Sequence, residues 1–395
     1  MPSYFSHIKE VPQDPIFGLN IAFGADKREE KINLSAGVYR TEELKTPILK
    51  SVKLAECAVL EEEYTKNYLP IEGDLIYLEE VARLVLGDAG YQGSLSSIQT
   101  VGGSGALRLG GEFAKKFLGN SVYIPTPSWV NHQAIFSECG LEVFSYPYYN
   151  PDSKDLSFEL MREYLLSIPS KSLVLLHVSC HNPSGVDLTK AQWEVLSELC
   201  TEKEIIPFFD AAYLGFLGTI AEDAYPIRLF ITKKIPFFLA VSFSKNFSLY
   251  GERVGAFFLF SNERETPIVT SQLKRLVRRN YSNPPMHGAK VLAKILQTGS
   301  LKETWKEELL QMKVRIATMR KLFVEELALA GTRSDYSYLL NKKGLFSYCQ
   351  LSEKQVERLI HDHAIYLPSD GRINIAGLNK KSIPYVVNAI VAVGG

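Results

Sequence analysis

The chain has 395 residues, 46% of them hydrophobic and 22% charged, with 44 basic side chains against 44 acidic ones. That length allows two or three domains, and the composition is ordinary for a globular protein. The even charge balance excludes a global field for nucleic acid or an anionic membrane, while leaving room for a local basic patch.

The opening stretch, "MPSYFSHIKEVPQDP", has no apolar core segment and no Arg-rich amphipathic pattern, so neither a signal peptide nor a transit peptide is expected. The longest apolar run, "IPFFLAVSF", is far shorter than the roughly 20 residues of a spanning helix. Cys57, Cys139, Cys180, Cys200 and Cys349 are scattered and form no C-x-x-C pair. This argues against a disulfide framework or a zinc ribbon, and for a reducing, cytoplasmic setting.

Candidate strands come in chain order at 98–101, 121–125, 141–146, 172–178, 205–210, 237–243 and 254–260. Most lack an alternating polar side, as expected of strands covered on both faces. Helical patterns lie between several of them; Thr189 with Gln192 reads as a capping box opening a helix over 190–203. Strands separated by helices imply a mainly parallel sheet. From 301 to 330, Leu301, Trp305, Leu309, Met312, Ile316, Met319, Phe323 and Leu327 recur at spacings of three and four. Ser300 with Glu303 reads as its capping box and Gly331 as its stop, predicting a helix of about 45 Å that joins two domains. The remainder, with "GLFSYCQL", a helix around 352–363, "IYLP" and "GRINIAG", reads as a smaller α+β domain.

Ligands of open α/β sheets bind beyond the carboxyl ends of the strands, and several unusual polar residues fall there. "TVGGSGALRLGG" places Gly102, Gly103, Ser104 and Gly105 before a helical pattern, either an anion-binding helix N-terminus or a tight turn. It is not a Walker A loop, because no Gly-Lys-Ser/Thr follows, nor G-x-G-x-x-G, because Arg108 stands where the last glycine would be. "FFDAAYLGF" ends a strand on Asp210, followed by Tyr213; an acid after such a run is either a helix cap or a partnered buried group. "HVSCHNPSG" sets Asn182 and Pro183 past another strand, in a turn or a site. "PTPSWVNH" does the same with Trp129 and His132, which core packing also explains. "VSFSKNFSLYGERVG" puts Lys245 at a strand mouth, with Arg253 eight residues on. Arg278 and Arg372 are further arginines suited to carboxylate or phosphate, while Lys274, Arg275 and Arg279 read as a solvated helix face.

Together these groups suit a flat aromatic cofactor with a phosphate and an aldehyde. The turn and Arg253 would hold the phosphate, Trp129 would stack on the ring, Asp210 would keep a ring nitrogen protonated, and Lys245 would condense with the aldehyde. With these motifs in order from "DPIFGLNIAFGADKREEKINLSAGVYR" through "TKNYLPIEG" to "GRINIAG", the chain resembles a class I aminotransferase of the aspartate/aromatic subgroup. The resemblance covers nearly the whole chain. It implies a fold-type-I pyridoxal phosphate (PLP) transferase: a large domain (45–311) with a mainly parallel seven-stranded sheet flanked by helices, and a small domain (12–44 and 312–395). A long helix over 301–330 would link them, and an N-terminal arm (1–11) would contact a second subunit.

The resemblance also implies roles. Lys245 carries the cofactor and moves the proton, with Asp210 and Tyr213 as its catalytic companions. Cofactor contacts fall to Gly103, Ser104, Gly105, Trp129, His132 (behind Asp210), Asn182, Ser242 and Arg253, and to Tyr68 from a partner subunit. Substrate contacts fall to Gly37, Trp129, Asn182 and Arg372, with Arg278 of the partner clamping a side-chain carboxylate. No metal, nucleic acid or membrane is implied; a homodimer with shared sites is. The reaction implied is aspartate plus 2-oxoglutarate giving oxaloacetate plus glutamate, with an aromatic donor (tyrosine or phenylalanine) as the alternative. Asn67, Thr46 and Asn283 look like the aspartate branch, Ser104 looks like the aromatic one, and Ala36 and Arg40 are unusual in both.

Other classes fit less well. Ser242-Phe-Ser-Lys245 with "SDG" at 369–371 superficially resembles a penicillin-binding hydrolase, but there is no Lys-Thr-Gly and the serine closes a strand instead of opening a helix. A cofactor-bearing regulatory module would not need both Lys245 and Asp210. Decarboxylation on the same cofactor is disfavoured by the paired arginines, which would hold the α-carboxylate in place.

Overall fold

The computed structural model describes residues 4–12, 14–88, 90–332 and 334–395. All seven apolar runs are strands of one sheet: β1 (Leu95–Val101), β2 (Ser121–Thr126), β3 (Glu142–Pro147), β4 (Leu173–His177), β5 (Ile206–Ala211), β6 (Phe237–Ser242) and β7 (Val254–Phe260). Their spatial order is β1-β7-β6-β5-β4-β2-β3. The pairings β2–β3, β2–β4, β4–β5 and β5–β6 are parallel, and β7 runs antiparallel to both β1 and β6.

Paired phenylalanines show why these strands lack a polar side. Phe208, Phe238 and Phe257 enter the core on one face, beside Leu107, Phe113 and Phe136. Their chain neighbours Phe209, Phe237 and Phe258 enter the core on the other, beside Trp193 and Phe230. Successive strand residues point to opposite faces, so a sheet covered twice needs apolar residues at every step. Each such ring contributes about 2–3 kcal/mol by leaving water.

The helix after β4 is Lys190–Glu202, and its Thr189–Gln192 capping box is formed. The long helix is Gly299–Leu329, with Trp305, Leu309, Met312, Ile316, Met319, Phe323 and Leu327 buried along one stripe. Gly331 follows its end at φ +66°. The expected Ser300–Glu303 capping box is not formed. The helix begins at Gly299 after Thr298, whose side chain makes no capping bond, so Ser300 already lies inside it and Glu303 pairs with Lys306 at 2.7 Å. The sequence pattern of a cap recurred two residues past the true N-cap, Thr298.

The chain's two ends meet. Ile32–Asn33 pairs in parallel with Ile365–Tyr366, and Phe346–Tyr348 pairs antiparallel with Arg372–Asn374. Asn374 Nδ2 donates to the carbonyls of Ala36 (2.6 Å) and Val38 (2.8 Å), which fixes the loop around Gly37. A helix the sequence reading did not foresee, Pro15–Ala25, is capped by Asp14, which accepts from the amides of Ile16 and Phe17. Residues 1–3 of the expected N-terminal arm lie outside the described residues; Tyr4, Phe5, Ile8 and Val11 are exposed. Among the described residues no helix is long and apolar enough to cross a membrane.

Candidate active site

The carboxyl ends of β4, β5 and β6 open on a cleft of about 450 Å³. β5 delivers Asp210, with Tyr213 just beyond it, and β6 delivers Ser242, with Lys245 on the loop that follows. Asn182 comes from the loop after β4, and Gly103 and Ser104 from the first turn of the helix Gly102–Phe117. Trp129 follows β2, Arg253 precedes β7, and Gly37, Phe346 and Arg372 face them from the segment built by the chain's ends.

Asp210 is held from behind. His132, fully buried, donates from Nε2 to Asp210 Oδ2 at 3.0 Å, and its Nδ1 accepts from the Ser128 hydroxyl at 2.8 Å. Burial would raise the Asp210 carboxyl; the His132 hydrogen bond, with charge from Lys245 nearby, outweighs it and leaves the group below its ordinary value. Asp210 is therefore a fixed anion aimed at the cleft. His177 lies on the other side of His132, 5.2 Å between ring centroids, and burial pushes it down to about 3, so it is neutral. The nearest ring and carboxylate atoms of His132, His177 and Asp210 lie within 4.8 Å of one another, but both nitrogens of His132 are already hydrogen-bonded. His132 therefore orients the carboxylate and offers no free nitrogen to a metal.

Lys245 sits 4.9 Å from the Tyr213 ring centroid. Burial pushes its amine down to about 8; Arg253 pushes the same way, and Asp210 opposes both. Near neutrality the amine thus has a sizeable uncharged fraction, which a free lysine lacks. Burial also raises the Tyr213 phenol well above its usual range, so it remains a hydrogen-bond donor.

Two cations in the cleft, Arg253 and Arg372, have no anionic partner among the described residues. Arg253 donates to Ser244 Oγ and the Tyr250 carbonyl, both at 3.1 Å, and stands beside the N-terminus of the helix Gly102–Phe117. That end has no side-chain cap. Gly102, at φ +66°, allows the approach, because a Cβ there would lie 2.4 Å from Arg253 Nη2. A helix terminus offers about half a unit charge. A phosphate carries about −1.5 to −2, so the guanidinium is needed to balance it. Arg372 is the second cation. It donates to Asn182 Oδ1 (2.8 Å) and the Ser35 carbonyl (3.1 Å), lies 4.2 Å over the Phe346 ring, and leaves its buried Nε unpartnered. Burial lowers its pKa, yet it has only neutral acceptors. A carboxylate supplies the missing charge and acceptors in a planar fork.

The sequence reading placed most of its site residues here, but four lie elsewhere. His132 is behind the wall. Gly105 faces Thr100 and Val101. Tyr68 is 92% exposed and Arg278 is also exposed, hydrogen-bonded to Ser282; neither lines this cleft. Residues the reading missed include Ile16 and Phe17 from the helix Pro15–Ala25, Tyr250, Phe346 and His177. The Asp14-Pro15 pair was a legible helix start, and His177 ends β4 as Asp210 nearly ends β5.

The donor set fits the expected cofactor: an anion cradle, a fixed carboxylate, a half-buried indole and an amine with a lowered pKa share one cleft. Comparison with known proteins agrees. A family profile of class I and II aminotransferases matches residues 29–390. The aspartate aminotransferase of Pseudomonas aeruginosa is 44% identical, over 99% of this chain and 100% of that one. The tyrosine aminotransferase of Klebsiella pneumoniae is 42% identical, over 98% and 100%. The crystal structure of an aromatic-amino-acid aminotransferase from Burkholderia pseudomallei, covalently bound to pyridoxal phosphate, superposes with a TM-score of 0.95, at 43% identity and full coverage of both chains.

Proposed function

The chain belongs to the class I and II aminotransferases, and from that premise we propose that it transfers the amino group of L-aspartate reversibly to 2-oxoglutarate, using pyridoxal phosphate. The observation that carries the reading is a single cleft in which Lys245, Asp210, the Gly102–Ser104 turn with Arg253, and the anion-seeking Arg372 converge. Bound there, pyridoxal phosphate supplies an aldehyde for the amino group and an electron-accepting ring for the charge left when the α-proton departs.

Each side chain then has a task. Gly103, Ser104, Ser242 and Arg253 anchor the phosphate, and Trp129 flanks the ring. Asp210, steadied by His132, keeps the ring nitrogen protonated. Asn182 and Tyr213 hydrogen-bond the ring oxygen. Arg372, aligned by Asn182 and Phe346, grips the α-carboxylate beside the Gly37 backbone. Lys245 takes the α-proton and returns it at close range, where positioning does most of the work. The carboxylate stays gripped throughout, which favours proton transfer over loss of carbon dioxide.

Tyr68 and Arg278 enter from a second copy in this reading, Tyr68 on the phosphate and Arg278 on the side-chain carboxylate. Supporting it, both are exposed on one surface, where Asn283 Nδ2 joins the two segments by donating to the Leu69 carbonyl at 3.0 Å. The active form is thus a homodimer, with residues 45–311 as large domain and 12–44 with 312–395 as small domain. Five unpaired cysteines support a cytoplasmic setting. The apolar mouth formed by Ile16, Phe17 and Phe346 favours tyrosine or phenylalanine as a second class of donor.

The test is a donor profile with aspartate, glutamate, tyrosine, phenylalanine and kynurenine, for the wild type and Arg278→Leu. Aspartate should lead in the wild type. The variant should lose about 2–5 kcal/mol, roughly thirty- to several-thousand-fold in kcat/KM, for aspartate and far less for phenylalanine. Equal losses for both donors contradict the clamp.

A further inference from the structure

Lys245 lies on a loop whose backbone is fastened from the outside of the cleft. The fastener is Trp305, on the long helix Gly299–Leu329 and fully buried. Its Nε1 donates to the carbonyl of Asn246, the residue after Lys245, at 2.8 Å. Its ring stacks on Phe247 at 4.2 Å and 14°. Phe247 in turn meets Phe243 edge-on, and Phe243 meets Tyr77. An aromatic column thus runs beneath the three residues 244–246 without touching the cleft.

Asn246 extends the fastening sideways. It is fully buried, and its Nδ2 donates to the carbonyl of Leu214 at 3.2 Å. Leu214 follows Tyr213, so one amide ties the neighbour of Lys245 to the neighbour of Tyr213. The long helix also holds the Tyr213 loop directly. Leu309 packs so closely on Gly215 that a Cβ there would lie 2.6 Å from its Cδ2, and Lys313 Nζ donates to the Gly218 carbonyl at 2.8 Å. One helix face therefore sets two loops that carry reacting groups.

We propose that Trp305 and Asn246 are positioning residues for the amine of Lys245, fixing its distance and orientation relative to Tyr213 through the Trp305–Asn246–Leu214 chain of hydrogen bonds. The physical argument is the cost of leaving the partners unmade. Without the indole N–H, the Asn246 carbonyl is a buried acceptor with no donor, and the Asn246–Phe247 peptide, one residue past Lys245, must turn to satisfy it. Lys245 is joined to that peptide through Asn246, so a turn there presents its amine differently, and displacements near 1 Å at a reacting atom cost about a hundredfold in rate.

This rests on Lys245 being the cofactor-bearing lysine. The experiment compares holoenzyme of Trp305→Phe, Asn246→Ala and, as a control at the far end of the same helix, Leu327→Ala. It reads melting temperature, kcat and KM for aspartate, the pH midpoint of the bound cofactor's visible band, and the borohydride-labelled lysine. Trp305→Phe, which keeps the stack and loses the donor, should lower kcat about tenfold and leave KM within about twofold. The band's midpoint should rise by about half a unit as the cofactor-linked nitrogen of Lys245 gains solvent, which favours its protonated form. Asn246→Ala should do the same, while Leu327→Ala lowers only the melting temperature. If the Phe variant does not load, β-(3-benzothienyl)alanine at position 305 keeps the ring's shape and removes only the N–H. Wild-type kcat and midpoint in the 305 and 246 variants, whatever their melting temperatures, overturn the proposal. A label on another lysine overturns the functional reading beneath it instead.

Discussion

The cleft and an exposed ridge outside it use the same kinds of residue in opposite ways. In the cleft and the wall behind it, Asp210 with His132 and Asn182 with Arg372 are hydrogen-bonded in pairs and withdrawn from bulk water. On the ridge, formed by residues 64–76 and 274–285, Tyr64, Tyr68 and Leu75 are 96%, 92% and 60% exposed, and Arg278 holds only Ser282. Buried polar groups without partners are costly, so the cleft has been completed from within its own chain as far as that chain can reach. The ridge leaves phenol rings exposed, and its forked cation has no anionic partner among the described residues. On our reading these are two halves of one site, distributed over two copies.

The largest expected effect comes from separating those halves. Lys245→Ala abolishes turnover and Arg278→Leu cripples it for aspartate. Mixing the two variants under conditions of subunit exchange should restore aspartate turnover to about a quarter of the sites, the share that random pairing of a two-fold dimer leaves intact. If both residues served the cleft of their own chain, mixing would restore nothing. A smaller effect sharpens the account of the cleft itself. The Lys245 amine is held down to about 8 by burial, with Arg253 assisting. Below that pH it is protonated and cannot attack an aldehyde; above it the amine is neutral. The rate of cofactor capture by cofactor-free protein should therefore rise with pH, reach half its maximum around pH 8 and level off above it. A rise that continues toward 10.5, the ordinary lysine value, shows the amine to be unperturbed.

Much of this architecture was legible in the residues because the sheet is covered on both faces. Paired phenylalanines such as Phe208–Phe209 leave no alternating pattern, but they leave unbroken apolar runs, and all seven runs are strands. The strand ends then drew attention to Asp210, Asn182 and Lys245 by topology, while Ser242 and the choice between site and structural cap or turn came from the family resemblance. What stayed hidden had no local signal. The helix Pro15–Ala25 buries none of its residues, so its apolar positions show no one-sided stripe, and Ile16 and Phe17 went unnoticed at the cleft mouth. The Ser300–Glu303 pattern resembled a cap because the same spacing serves inside a helix, where Glu303 meets Lys306. Trp305 and Asn246 are 59 positions apart, and no periodicity brings them together. The dimer half of the site was suggested only by the family resemblance, because Tyr68 and Arg278 look like ordinary surface residues on their own chain.

One measurement reaches the centre of the account. Holoenzyme is reduced with borohydride, digested, and the modified peptide is mapped by mass spectrometry. The predicted result is a stable cofactor adduct on Lys245, at the end of "VSFSK". An adduct on any other lysine, or none in fully loaded protein, contradicts it.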